Sequence, residues 1–148
     1  MILPGQTKKA ILVPSQLKNN GALAGNTYVD TLGYDHIEVI IAPNGVDAAI
    51  GSTNASTPLK LEECDTTGGQ YTDVAGAAMA AVVGAADATP SSICVSLKRS
   101  HKRYMRLNAP TAASGTTGAN FTAIAILSRA QQPPMAAAEA GCKEWINA

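Results

Sequence analysis

Several short stretches of the chain alternate apolar and polar residues with the period of two that belongs to β-strands. The alternation first becomes clear from Tyr28 to Leu32. From His36 to Ala42, Ile37, Val39 and Ile41 share one face, and His36, Glu38 and Ile40 share the other. Pro58 to Cys64 sets Leu59 and Leu61 inward against Lys60 and Glu62. Ser92 to Leu97 and Arg103 to Asn108 repeat the pattern, with Ile93, Val95, Leu97, Met105 and Leu107 on the apolar side. Phe121 to Ser128 is apolar on both faces, with Phe121, Ala123, Ala125 and Leu127 on one and Ile124 and Ile126 on the other. Lys9 to Val13 fits a terminal strand.

Turn chemistry separates these stretches. Asn19-Asn20-Gly21, Leu32-Gly33, Pro43-Asn44-Gly45, Thr66 to Gly69 and Ser114 to Gly118 are rich in residues that accept positive φ or bond their own backbone. Many short strands with frequent turns predict an all-β fold, an antiparallel β-sandwich or jelly roll. Two segments have helical character. Asp73 is placed to cap a short Ala-rich helix from Val74 to about Val83, although Gly76 and Gly84 favour a long loop equally. After Pro133-Pro134, Met135 to Ile146 is Ala-rich with Glu139 one turn before Lys143. The expected organisation is a sandwich domain over residues 1–134 with an N-terminal arm over 1–14, followed by a tail of helical character over 135–148.

The chain has 148 residues, enough for one domain. Hydrophobic residues are 46% and charged residues 15%, which supports a packed core and argues against disorder. Net charge is zero but unevenly spread. Up to Leu97 there are four basic and nine acidic residues; from Lys98 onward there are seven basic and two acidic. Such halves are expected to form opposite patches that attract further copies or a mixed-charge surface. The neutral balance argues against nucleic acid as a partner. Aromatics are few, which weakens a sugar-binding or single-strand-binding reading. Cys64, Cys94 and Cys142 are odd in number and widely spaced, so free structural thiols and assembly in a reducing cytoplasm are expected. No signal-peptide pattern opens the sequence, and no apolar run is of membrane-spanning length.

Reactive chemistry has little support in the residue pattern. Glu62, Glu63 and Asp65 invite a glycosidase reading, which needs two carboxylates facing each other roughly 5–9.5 Å apart. Adjacent strand residues point to opposite faces, so Glu62 and Glu63 do not form such a pair. His36 and His101 stand outside metal-binding spacings, and no G-x-S-x-G elbow or phosphate loop occurs. No enzyme activity, no cofactor and no metal are expected.

The residue order then supplies a resemblance. Tyr28-Val-Asp-Thr-Leu-Gly-Tyr34 is followed by the Ile37–Ile41 strand, Leu59 to Asp65, and Tyr71-Thr72-Asp73-Val74. Lys102-Arg-Tyr-Met-Arg-Leu107, a Thr-Gly-rich turn and an Ala/Ile strand closing on a Pro pair complete the series. Over roughly residues 27–134 this resembles small head-associated proteins of tailed bacteriophages, the capsid decoration or cement proteins. The resemblance implies a β-sandwich or jelly roll, a particle-bound role and often a trimer, with no catalytic residues to carry over.

The resulting expectation is a structural virion protein. It assembles in the host cytoplasm, binds the major capsid protein on the outer head surface, and stabilises the shell as a ligand of its assembled state. Competing readings are a tail, baseplate or head-fibre subunit and a host-surface carbohydrate-binding module; copy number in purified particles separates the virion readings. The doubly apolar strand predicts a homotrimer, with Phe121, Ile124 and Ile126 as oligomer contacts. Expected capsid contacts are Ile2, Leu3 and Ile11 of the arm, Lys98, Arg99, Lys102 and Arg103 of the basic turn, and Trp145 and Ile146 of the tail. Fully burying an aliphatic side chain contributes roughly 1.5–3 kcal/mol against roughly 0–1 for an exposed ion pair, so the terminal segments are the expected anchors.

Overall fold

A strand that is apolar on both faces needs neighbours on both edges and a layer beneath it. In the computed structural model, Phe121 to Ser128 lies inside such a strand. The structure describes residues 6–22, 27–44, 59–79, 89–108, 111–112, 115–130, 138 and 140–141. Among the described residues ten strands run in chain order: β1 (Lys8–Lys18), β2 (Gly21–Ala22), β3 (Tyr28–Asp30), β4 (Tyr34–Asn44), β5 (Lys60–Cys64), β6 (Thr72–Ala78), β7 (Ser91–Ser96), β8 (Tyr104–Leu107), β9 (Thr111–Ala112) and β10 (Ala119–Ala130).

Two four-stranded antiparallel sheets form a sandwich, the first ordered β1-β10-β4-β7 and the second β3-β8-β5-β6; β2 and β9 make a separate short ribbon. Without that ribbon, the first, eighth, third and sixth strands in chain order form one sheet. The second, seventh, fourth and fifth form the other. This strand order is that of a jelly roll. The expected all-β sandwich is therefore the observed architecture.

The inward faces meet in a continuous core. From the first sheet come Leu12, Val13, Ile37, Val39, Ile41, Phe121, Ala123, Ala125 and Leu127; from the second come Val29, Leu61, Val74, Ala77, Met105 and Leu107. Leu12 and Val13 are both fully buried although adjacent, because the register with β10 shifts between Ile11 and Val13. A bulge of this kind turns two successive side chains to one side.

Several expectations are corrected here. Residues 8–14 are not an arm: they form the first part of β1, paired with β10 from Lys8↔Leu127 onward. The segment after Asp73 is strand, not helix, as far as Ala78; residues 80–83 lie outside the described residues. Its register with β5 jumps from Lys60↔Ala78 to Glu62↔Asp73, with Gly76 at φ 76° in the irregular stretch. The irregularity spaces the inward residues Val74 and Ala77 three apart, which imitates a helical period. Pro43 and Asn44 lie in β4 rather than a turn. Pro43 is accommodated because β7 pairs with β4 only as far as Ile41, and among the described residues no strand pairs with β4 on that side beyond it. Of the expected helix from Met135 to Ile146, only residues 138, 140 and 141 are described. They form a turn with Gly141 at φ 69°, a conformation through which no α-helix continues.

The outer edge of β1 is closed by backbone bonding. Lys9 N–H donates to Ala140 O at 2.8 Å, Thr27 N–H donates to Leu12 O at 2.8 Å, and the Thr27 hydroxyl donates to Ile11 O at 2.6 Å. Covering an edge in this way removes a template for strand addition.

Candidate interaction surfaces

The acidic first part of the chain and its basic second part meet within the fold. Arg103 makes a two-pronged contact with Asp30, Nε at 3.0 Å and Nη2 at 2.7 Å. Arg106 reaches Glu62 at 2.9 Å, Lys98 lies 3.5 Å from Asp35, and His101 Nδ1 is 2.9 Å from Glu63 Oε2. The Arg103 guanidinium holds the Asp30 carboxyl below its usual range, and the same hydrogen bond raises Arg103. The expected opposite patches are in large part consumed by these intramolecular pairs.

The basic turn is therefore tethered. Glu63 Oε2 also accepts the Lys102 backbone N–H at 3.1 Å, and Lys102 Nζ donates to the Thr72 hydroxyl at 2.9 Å. Of the four turn residues expected to meet a capsid, Lys98, Lys102 and Arg103 hold partners within the fold. Arg99 is exposed and projects beside a cleft of about 480 Å³ between β6 and β7, which Ala75 to Ala77 and Cys94 to Ser96 line. A second cleft of about 340 Å³, lined by Thr31 to Tyr34 and Lys102, shares His101 with the first. The three acidic residues singled out in the sequence diverge. Glu62 joins Arg106 on the outer face, Glu63 supports the turn, and Asp65 is exposed.

The outer face of the first sheet is apolar at its centre. Register places Ile11, Ile124 and Ile40 in one row across β1, β10 and β4, with Ser92 of β7 at its end. Ile11 is 60% exposed and Ile124 38% exposed, while Ile40 and Ile126 are half-buried. Phe121 is corrected as an oligomer contact: it is 1% exposed and belongs to the protomer's own core. Ile124 and Ile126 do face outward, as the alternation requires. Ile2, Leu3, Trp145 and Ile146 lie outside the described residues.

On the outer face of the second sheet, ionic and aromatic groups interleave. Lys60 and Asp73 pair at 2.7 Å, Arg106 stacks 3.9 Å from the Tyr71 ring centroid, and Tyr28 meets Tyr104 edge-on at 5.4 Å. Sequence reading missed this cluster because Tyr28, Tyr71 and Tyr104 are far apart along the chain; only the β3-β8-β5-β6 order, with Tyr71 at the entry to β6, gathers them. Among the described residues the buried Tyr71 hydroxyl has no hydrogen-bond partner, and burial pushes its phenol pKa up. A buried unsatisfied hydroxyl opposes folding. Tyr71→Phe is therefore expected to raise the unfolding free energy by about 1 kcal/mol in urea denaturation. Tyr71→Ala should lower it, because Arg106 loses its stacking face.

No protein-family model matches the chain, and a comparison with curated proteins finds no match either.

Proposed function

We propose that this chain is a non-catalytic structural subunit of a virus particle, a decoration protein that binds the outer surface of a bacteriophage head and stabilises the shell. The observation that carries the reading is the outer face of the first sheet. A small jelly roll has one interior, and this face sets Ile11, Ile124, Ile40 and Ile126 outside it. A contiguous apolar face on a small domain marks a contact surface, and the jelly-roll fold class includes viral capsid proteins. In this reading copies associate through that face. The end bearing Arg99 and the two clefts meets the major capsid protein, with Ile2, Leu3, Trp145 and Ile146 as apolar anchors.

Co-pelleting tests it. Purified protein should sediment with heads that lack it and raise the temperature at which they rupture. Arg99→Ser should flatten the salt dependence while changing affinity by only about two- to fivefold, the scale of one exposed charge pair. Failure of the wild-type chain to sediment with heads at low salt would sink the proposal. A second reading, a carbohydrate-binding module, is favoured by the tyrosine cluster, in which Tyr28 is 46% exposed. Binding to immobilised surface glycans, lost in Tyr28→Ala, would select it instead.

A further inference from the structure

The outer face of the first sheet is matched to itself in charge. One residue pair further along β10 from the isoleucine row lies a second row, in which register aligns Lys9 of β1, Ile126 of β10, Glu38 of β4 and Cys94 of β7. Lys9 and Glu38 therefore stand on opposite sides of the same β10 residue, each about 4.8 Å from it across the sheet. Alternation along β1 sends Lys9 and Ile11 outward, and alternation along β4 sends Glu38 and Ile40 outward.

We propose that two copies of this chain pack face to face through the first sheet, about a two-fold axis that lies between the sheets and runs along β10. This deepens the structural reading above and rests on its assignment of that face as a contact surface. Such a rotation keeps position along the strand and exchanges the two sides of β10. Ile124 and Ile126 then lie over their own counterparts, and Ile11 of each copy lies over Ile40 of the other. Lys9 of each copy comes over Glu38 of the other, and this happens twice. The apolar row sits at the centre of the contact and the two ion pairs at its sides, the arrangement of an apolar core with a polar rim.

The chemistry selects two-fold over three-fold packing. A patch whose row reads cation, apolar, anion is complementary to its own copy turned over, which is the signature of an isologous contact. In a three-fold ring each face must instead meet a different surface of its neighbour. Stacked sheets pack about 10 Å apart with strands within about 30° of each other, which rotation about an axis along or slightly inclined to β10 satisfies.

Sedimentation equilibrium of the full chain tests the inference. Wild type is expected as a concentration-dependent dimer. Lys9→Glu and Glu38→Lys should each weaken it at least about tenfold, since every substitution acts twice and places like charges together. The double variant Lys9→Glu/Glu38→Lys should return to within about threefold of wild type, because the two charges are merely exchanged. Ile124→Thr should weaken dimerisation without lowering the thermal midpoint appreciably. If a single charge variant fails to fold, the double variant and Ile124→Thr still decide the matter. A wild-type monomer at high concentration, a trimer, or single and double charge variants that weaken alike would each overturn the two-fold. Co-pelleting run in parallel separates the two claims: a monomer that still sediments with heads removes only the two-fold, and a charge-sensitive dimer that ignores heads removes only the particle-bound role.

Discussion

Replacing Phe121 with Ala is expected to remove about 3–5 kcal/mol of stability, the range for truncating a fully buried aromatic core residue. Phe121 is the only phenylalanine in the chain and is 1% exposed, at the inner face of the central strand β10 opposite Gln16 and Pro43. Around it the inward positions of β10 are small, Ala123 and Ala125, so nearby side chains have little bulk with which to refill the space. The cost combines the lost transfer of the ring from water with the cavity left behind. Ile124→Thr, three positions along the same strand, keeps a β-branched side chain and changes a partly exposed site. It should alter stability by less than about 1 kcal/mol. Urea denaturation of both variants at a concentration where the wild type is monomeric gives the comparison. Similar losses for the two would mean that the inner and outer faces of β10 are assigned the wrong way round.

That contrast also shows what the residue pattern could and could not reveal. A period of two divides Phe121 to Ser128 into two faces but does not say which is inside when both are apolar. The answer depends on the second sheet, whose Met105, Leu61 and Leu107 complete the core against the Phe121 side. Strands with one polar face, such as His36 to Ala42 and Ser92 to Leu97, were legible because their alternation allows one orientation only. β6 was not legible, since the register jump at Gly76 spaces Val74 and Ala77 as a helix would. The unequal charge of the chain's two parts was visible, but its use was not. Pairing Asp30 with Arg103 requires β3 beside β8, and pairing Glu62 with Arg106 requires β5 beside β8. The apolar outer stripe was half legible: alternation puts Ile124 and Ile126 on one face, but that this face is the outer one depends on the second sheet, and the rows that add Ile11, Ile40, Lys9 and Glu38 follow only from register.

Gly118→Ala is expected to cost about 3 kcal/mol or more, because it combines a left-handed backbone with a collision against main chain. Gly118 has φ 104°, immediately before β10 begins its pairing with β1 at Lys18↔Ala119. A Cβ there would meet the Lys18 carbonyl oxygen and stand 2.8 Å from the Lys18 carbonyl carbon and 2.9 Å from Asn19 Cα. None of these atoms can swing aside as a side chain would. The neighbouring contacts hold the same junction: Asn19 Nδ2 donates to Gly115 O at 2.8 Å, and the Gly115 N–H donates to Asn19 Oδ1 at 2.9 Å. Relief of the clash therefore requires the end of β1 to move away from β10 and the Asn19 bonds to break. Gly33→Ala is the matched control. Gly33 has φ 84°, yet its added Cβ meets nothing within 4 Å, so that substitution carries the conformational cost alone, about 1–2 kcal/mol. The difference between the two thermal or urea midpoints isolates the contribution of close backbone approach at the β1–β10 junction. Equal losses at the two glycines would show that Lys18 and Asn19 do not press on residue 118, and that the turn entering β10 yields without disturbing the first sheet.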